Sequence, residues 1–217
     1  MSIPCYLALE WKDFVNNLSG LPAQLGFGFR EDGSARVPDE RIENALIVID
    51  DRILPEKGPS EKALAELASL AKNGCMLDFE RPVSPIGAAI IEGLQAKTGR
   101  GQLFVVPEQY HALFPQATVC VTAQLCNHWE SLVCRAEKRY GNNWVLEEIP
   151  QLCVMPLTCE TGHGVLPSAV LRYQAENGVV RYYDTARTLA IKRQLAEAHG
   201  CRAVFGLMCE HEVLEEQ

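Results

Sequence analysis

The sequence predicts an α/β fold, a compact (β/α)8 barrel of the TIM type, and three observations lead there. Eight short apolar runs recur along the 217 residues. Their hydrophobicity is continuous rather than alternating, as parallel strands covered on both faces require. Most are followed by a stretch with apolar residues at helical spacing, so strand, helix and strand alternate. Repeated right-handed parallel crossovers of that kind close into a ring.

In order, the runs are "IPCYLALEW", "LGFGFRE", "NALIVIDDR", "GCMLDFERP", "GQLFVVPEQY", "ATVCVTAQLCN", "PQLCVMPLTCE" and "CRAVFGLMCE". Between the second and third, "FREDGSARVPDERIEN" reads as a loop or hairpin turning at Asp32-Gly33. The helix "SEKALAELASLAKNG" opens at the N-cap candidate Ser60 and closes at Gly74. "PIGAAIIEGLQAKTG" and "TARTLAIKRQLAEAHG" repeat that design, and "NGVVRYYD" near residues 178–184 suggests a further hairpin strand. Because the usual barrel runs to about 250 residues, some helices must be short or missing. An open doubly wound sheet is the alternative. No linker or low-complexity segment interrupts the chain, so residues 1–217 are read as a single barrel domain.

Composition narrows the function classes. A hydrophobic content of 47% is ordinary for a packed core, and a net charge of −8 with no Lys/Arg cluster argues against a nucleic-acid face. No basic n-region precedes a long apolar stretch, and no window approaches a membrane span. The expectation is a soluble cytoplasmic protein with no membrane or nucleic-acid partner. Nine cysteines is an odd number, and Cys75, Cys120, Cys153 and Cys201 lie in apolar runs where a thiol packs as a small hydrophobe. No CxxC pair occurs, and Cys153 and Cys159 read as core and loop residues. "GFGFREDG" lacks the GxGxxG spacing of a dinucleotide site. No cofactor and no resident metal are expected. His111, His128 and His199 read as surface or cap residues.

In a parallel barrel the carboxyl ends of the strands form the rim of the site. Those ends carry Glu10 and Trp11, Arg30, Asp50 with Asp51 and Arg52, Asp78 with Glu80 and Arg81, Glu108 with Gln109 and Tyr110, Gln124 and Asn127, Glu160, and Glu210 with His211. Taken singly, Glu10, Asp51 and Glu160 read as solvated loop acids. The pair in "LDFE" differs. Residues two apart on a strand share a face, so Asp78 and Glu80 point into the mouth if Leu77 and Phe79 pack outward. Two acids that close resist joint ionisation, which makes one of them a proton donor. Arg81 is expected to brace this cluster or a neighbouring rim acid rather than touch substrate.

With those residues in view, "NGCMLDFE" resembles the fourth-strand signature DGxDxDxE of family 18 glycoside hydrolases, the chitinase and endo-N-acetylglucosaminidase group. The resemblance places Glu80 on the catalytic acid and Asp78 on the acid that positions the acetamido group, with Asn73 and Met76 replacing the other two acids. "VTAQLCN" is similar to a sixth-strand segment of that family: Gln124 and Asn127 match, and Cys126 stands where a Tyr would be. The closing "VVRYYDTARTLAIKRQLAEAHGCRAVFGLM" is similar to the family's final unit, with Gly206 or a neighbour in place of a Trp.

The resemblance implies substrate-assisted, retaining cleavage of N-acetylhexosamine bonds, with Glu80 as general acid and no second protein nucleophile. It also implies a glycan ligand met by Gln124 and Asn127; Trp11, Glu10, Asp50, Tyr110 and Glu210 join them as candidate contacts because they stand at the strand ends. Trp11 either stacks on a sugar or caps the core. Two alternatives stay open. One is a catalytically impaired barrel that binds a sugar or other small molecule. The other is a divalent-metal enzyme using Asp50, Asp78, Glu80, Glu108 and Glu210, joined by His163 or His211.

Overall fold

The computed structural model describes residues 3–15, 18–99, 101–123, 128–150, 152–156, 162–166, 170–176 and 178–209. Its elements run β1 (Cys5–Leu9), β2 (Leu21–Phe29), β3 (Ala35–Arg36), β4 (Leu46–Asp50), α1 (Glu61–Leu70), β5 (Cys75–Asp78), α2 (Pro85–Lys97), β6 (Phe104–Pro107), β7 (Thr118–Ala123), α3 (Trp129–Tyr140) and β8 (Trp144–Glu148). They continue through β9 (Leu152–Pro156), β10 (Gly162–Leu166), β11 (Leu171–Glu176), β12 (Val179–Tyr183), α4 (Ala186–Ala198) and β13 (Cys201–Leu207).

The main sheet has the order β1-β13-β8-β7-β6-β5-β4-β2-β3, and β1 also pairs with β2. Eight parallel strands therefore close into a (β/α)8-type barrel, while β3 is an antiparallel addition on β2. Four α-helices serve it among the described residues, so the expected shortage of helices is real. No described helix is long and apolar enough to cross a membrane. By packing, the chain divides into two compact units, Tyr6–Cys120 and Met1–Cys5 with Val121–Gln217.

In the unit Tyr6–Cys120, every residue of β4 is buried, as its run "LIVID" requires for a strand covered on both faces. Helix α1 begins where Ser60 Oγ accepts the backbone N–H of Ala63 at 3.1 Å, and α2 begins with Ser84 as N-cap and Pro85 in its first turn. Gly74 ends the first crossover at φ +117°, where a side chain would meet the Leu103 carbonyl at 2.8 Å. Only glycine fits that turn into β5. Leu64 and Leu67 of α1 and Ile90, Ile91 and Leu94 of α2 supply the buried helix faces.

In the other unit, β8 corrects the expected seventh barrel strand. That place belongs to "WVLEE", whereas "PQLCVMPLTCE" contributes β9 to a separate antiparallel sheet of order β10-β11-β12-β9. The short run was hidden because only three of its five residues are apolar and its last acid, Glu148, is buried against Arg193. The hairpin strand expected near 178–184 is β12. Helix α4 opens with a reciprocal Thr185/Thr188 capping box, and its Lys192 forms a buried ion pair with Asp184 at 2.8 Å.

Candidate functional site

Strands β4 and β5 end side by side, and Asp50 and Asp78 are register partners. In-register residues of neighbouring parallel strands point to the same face, so the carboxyl end of this pair presents both acids on one side. Asp50 is buried and heavily engaged. Its Oδ1 receives Arg36 Nη2 at 2.5 Å and the backbone N–H of Arg52 at 3.1 Å, and its Oδ2 lies 3.4 Å from Arg52 Nε. Gly28 makes room for this pair, since a Cβ there would sit 2.5 Å from Arg36 Nη2. Asp50 is thus an internal counter-ion, expected from the sequence to meet substrate and found here holding two arginines.

Asp51, just past the end of β4, is 4% exposed. Its Oδ1 accepts the backbone N–H of Glu80 at 3.1 Å and its Oδ2 that of Arg81 at 2.9 Å. From the next strand end, Gln109 Nε2 donates to the Phe79 carbonyl at 2.6 Å and, more weakly, to that of Arg81 at 3.4 Å. Arg81 Nη2 in turn donates to the Arg52 carbonyl at 2.5 Å. The turn at residues 79–81 is therefore held by strand ends on both sides of β5. Charge-assisted bonds from backbone N–H to a buried carboxylate are among the stronger ones a protein makes.

Leu77 and Phe79 are buried, Asp78 is half-buried and Glu80 is exposed, which keeps the expected alternation in burial. The strand itself stops at Asp78, however, so the direction of Glu80 depends on the clamped turn rather than on sheet pleating. Phe79 meets Tyr110 edge to face at 6.1 Å, and the Tyr110 hydroxyl accepts the Ser84 backbone N–H at 3.2 Å. Tyr110, expected among the substrate contacts, is 1% exposed and serves the core beneath the turn. Trp11 is 42% exposed and stacks on Phe14 at 6.0 Å, leaving indole surface open. Glu10 is exposed and paired with Lys12 at 2.9 Å, whose hydrogen bond and charge hold its carboxyl below the usual range. Gln124, Asn127 and Glu210 lie outside the described residues, as do Cys126, Glu160 and His211.

Beside the turn opens a cleft of about 750 Å³ whose charged wall is Glu31, Asp32, Arg52, Glu56, Lys57 and Arg81. Its volume is within the range of small-ligand sites. Arg81 belongs both to this wall and to the clamped turn, whereas Asp78 and Glu80 do not line it. Among the described residues no group of three or more His, Cys, Asp or Glu is disposed to hold a metal ion.

Asp51 and Gln109 are the positioning residues that sequence reasoning passed over. The doublet Asp50-Asp51 marks the end of β4, but nothing local says that its second acid meets the backbone of residues 80 and 81.

No protein-family model matches the chain, and no curated protein matches it in sequence. Solved structures do match. The chitinase RmChi1 from Rhizomucor miehei superposes with a TM-score of 0.66 at 12% identity, over 97% of this chain and 96% of that one. The fold is that of the family 18 chitinases. The Bacillus cereus spore cortex-lytic enzyme SleL shares it with a TM-score of 0.63 at 12% identity, over 99% of this chain and 74% of that one. So does a chitinase-like agglutinin from Robinia pseudoacacia, with a TM-score of 0.60 at 11% identity, over 95% and 94%. At such identities the likeness to the family 18 fold is one of architecture, and function rests on the site.

Proposed function

We propose that the chain binds N-acetylhexosamine glycans at the carboxyl end of β5 and cleaves them with Glu80 as general acid. The observation that carries this reading is the clamped turn: the buried carboxylate of Asp51 and the amide of Gln109 fix the backbone of an otherwise exposed acid. A core has no use for a backbone turn held this firmly beneath an exposed Glu. A catalyst does, because an acid already in position avoids the entropic cost of finding its substrate oxygen.

In the proposed reaction Glu80 gives its proton to the glycosidic oxygen as the bond to the anomeric carbon breaks. The acetamido oxygen of the same sugar attacks that carbon to form a cyclic oxazolinium, and Asp78 accepts a hydrogen bond from the acetamido N–H. Water, deprotonated by the Glu80 carboxylate, then opens the ring and restores the acid. Likeness to chitinases and to a cortex-lytic enzyme supports a glycan ligand.

A second reading, sugar binding without cleavage, is favoured by Met76. It is buried on the same strand two residues before Asp78, where the family signature has a carboxylate, and a thioether cannot exchange a proton with Asp78. The likeness to an agglutinin belongs with this reading. Incubation with chitooligosaccharides, analysed by mass spectrometry and titration calorimetry, separates the two. Product formation lost in Glu80→Gln supports cleavage, while binding without product supports the second reading. Turnover that survives Glu80→Gln overturns the first, and neither binding nor turnover overturns both.

A further inference from the structure

We infer that Cys134 is an activated thiol, a site of mixed-disulfide formation with small disulfides, in which His199 is the base and Glu137 orients it. Cys134 and Glu137 stand three residues apart on α3, hence on one helix face, and His199 is the C-cap of α4. His199 Nε2 lies 3.9 Å from Cys134 Sγ, and its Nδ1 lies 2.8 Å from Glu137 Oε2. Nucleophile, base and carboxylate follow one another in line, the arrangement by which enzymes on unrelated folds prepare a nucleophile.

The placement has independent support. Trp144, fully buried, donates its indole N–H to the His199 carbonyl at 3.1 Å and so fixes the backbone from which the imidazole projects. Cys134 is exposed, whereas Cys75, Cys120 and Cys201 are buried. A Glu–His ion pair at a helix end would be explained by charge alone. That explanation leaves the second ring nitrogen undetermined, and here it faces the one sulfur that the solvent can reach on this helix face.

The small disulfide is itself the oxidant, and the step balances with it alone. Nε2 takes the thiol proton, and Glu137 holds the resulting imidazolium. The Cys134 thiolate attacks one sulfur of a small disulfide, forming a new S–S bond as the old one breaks. The departing thiolate takes the proton from Nε2 and leaves as a free thiol. The Cys134 sulfur is oxidised and the leaving sulfur reduced, so the protein gains one small thiol group as a mixed disulfide.

The test treats the intact protein at pH 7 with glutathione disulfide, and in parallel with iodoacetamide, and follows each cysteine by peptide mass mapping. Cys209, also exposed, is the internal comparator. Cys134 is expected to react at least about tenfold faster than Cys209, and His199→Ala and Glu137→Gln to slow it toward the comparator. The deficit in His199→Ala should shrink above about pH 9, where solvent base does the work of the imidazole. Equal rates for Cys134 and Cys209 in the parent protein overturn the inference whatever the variants do. An unchanged Cys134 rate in a folded His199→Ala or Glu137→Gln protein overturns it as well.

Discussion

The carboxylate of Asp51 accepts the backbone N–H of Glu80, 29 residues further along the chain, at 3.1 Å. The acid at the end of β4 thus sets where the acid beyond β5 stands. Replacing Asp51 by Asn removes the charge and one acceptor while keeping the shape, and should cost about 2 kcal/mol of stability. Urea unfolding measures it. Glycan affinity should fall with it, and an Asp51→Asn protein with the parent's denaturation midpoint would show that the clamp is not a support.

Glu80 itself should behave in the opposite way. Its side chain is exposed, so Glu80→Gln should change stability by no more than about 0.5 kcal/mol. On the proposed reaction it should lower turnover by about 10² or more. Thermal melts beside product release distinguish the two; a large loss of stability would mean that Glu80 is structural.

The buried pair Asp184–Lys192 gives a third expectation. The ammonium lies 2.8 Å from one carboxylate oxygen and 3.0 Å from the other, and 4.9 Å from the centre of the Trp129 ring. Lys192→Met takes the opposite charge away from a carboxylate that is 0% exposed and still accepts from the Thr188 hydroxyl, at a cost of about 3 kcal/mol. Adding Asp184→Leu should recover much of that loss, because the uncompensated charge is then gone. Denaturation of the parent, both single variants and the double variant forms the cycle, and additivity would rule out the coupling.

The thiol of Cys201 supplies a pH dependence. Burial pushes it up to about 12 from an ordinary value of 9.0. Above pH 9 the unfolded chain therefore releases a proton that the folded chain keeps. The stabilising contribution is complete below that point and is lost as pH rises toward 12, by about 1.4 kcal/mol per pH unit. Cys75, fully enclosed, is raised in the same direction. Unfolding between pH 8 and 11 should show a shallower slope in Cys201→Ala than in the parent. The slope is the readout, since the lost sulfur adds a constant offset; equal slopes would refute the assignment.

What could be read from the sequence follows from how local each cause is. Strands such as β4 and β5 announce themselves because both of their faces are apolar, and Ser60 and Gly74 mark the helix between them. Strand β8 did not, because Glu148 becomes a strand residue only in the company of Arg193, 45 positions away. At the site, alternation accounts for the burial of Leu77 and Phe79, while the strand stops at Asp78 and the turn beyond it places Glu80. The service of Asp51 was hidden, since it acts on backbone groups of a distant turn, and Tyr110 looked like a ligand contact although its hydroxyl answers Ser84. Cys134 and Glu137 could be paired by helical spacing, but nothing local points from them to His199.

The strands β9 to β12 leave the barrel just after Glu148 and return at Asp184, and both of these acids are anchored to neighbouring residues of α4, Arg193 and Lys192. The excursion is therefore stitched shut at its base by the helix that follows it. Such a hem ties Glu148 and Asp184 to one helix, so a change made between them meets two anchors before it reaches β8 or α4.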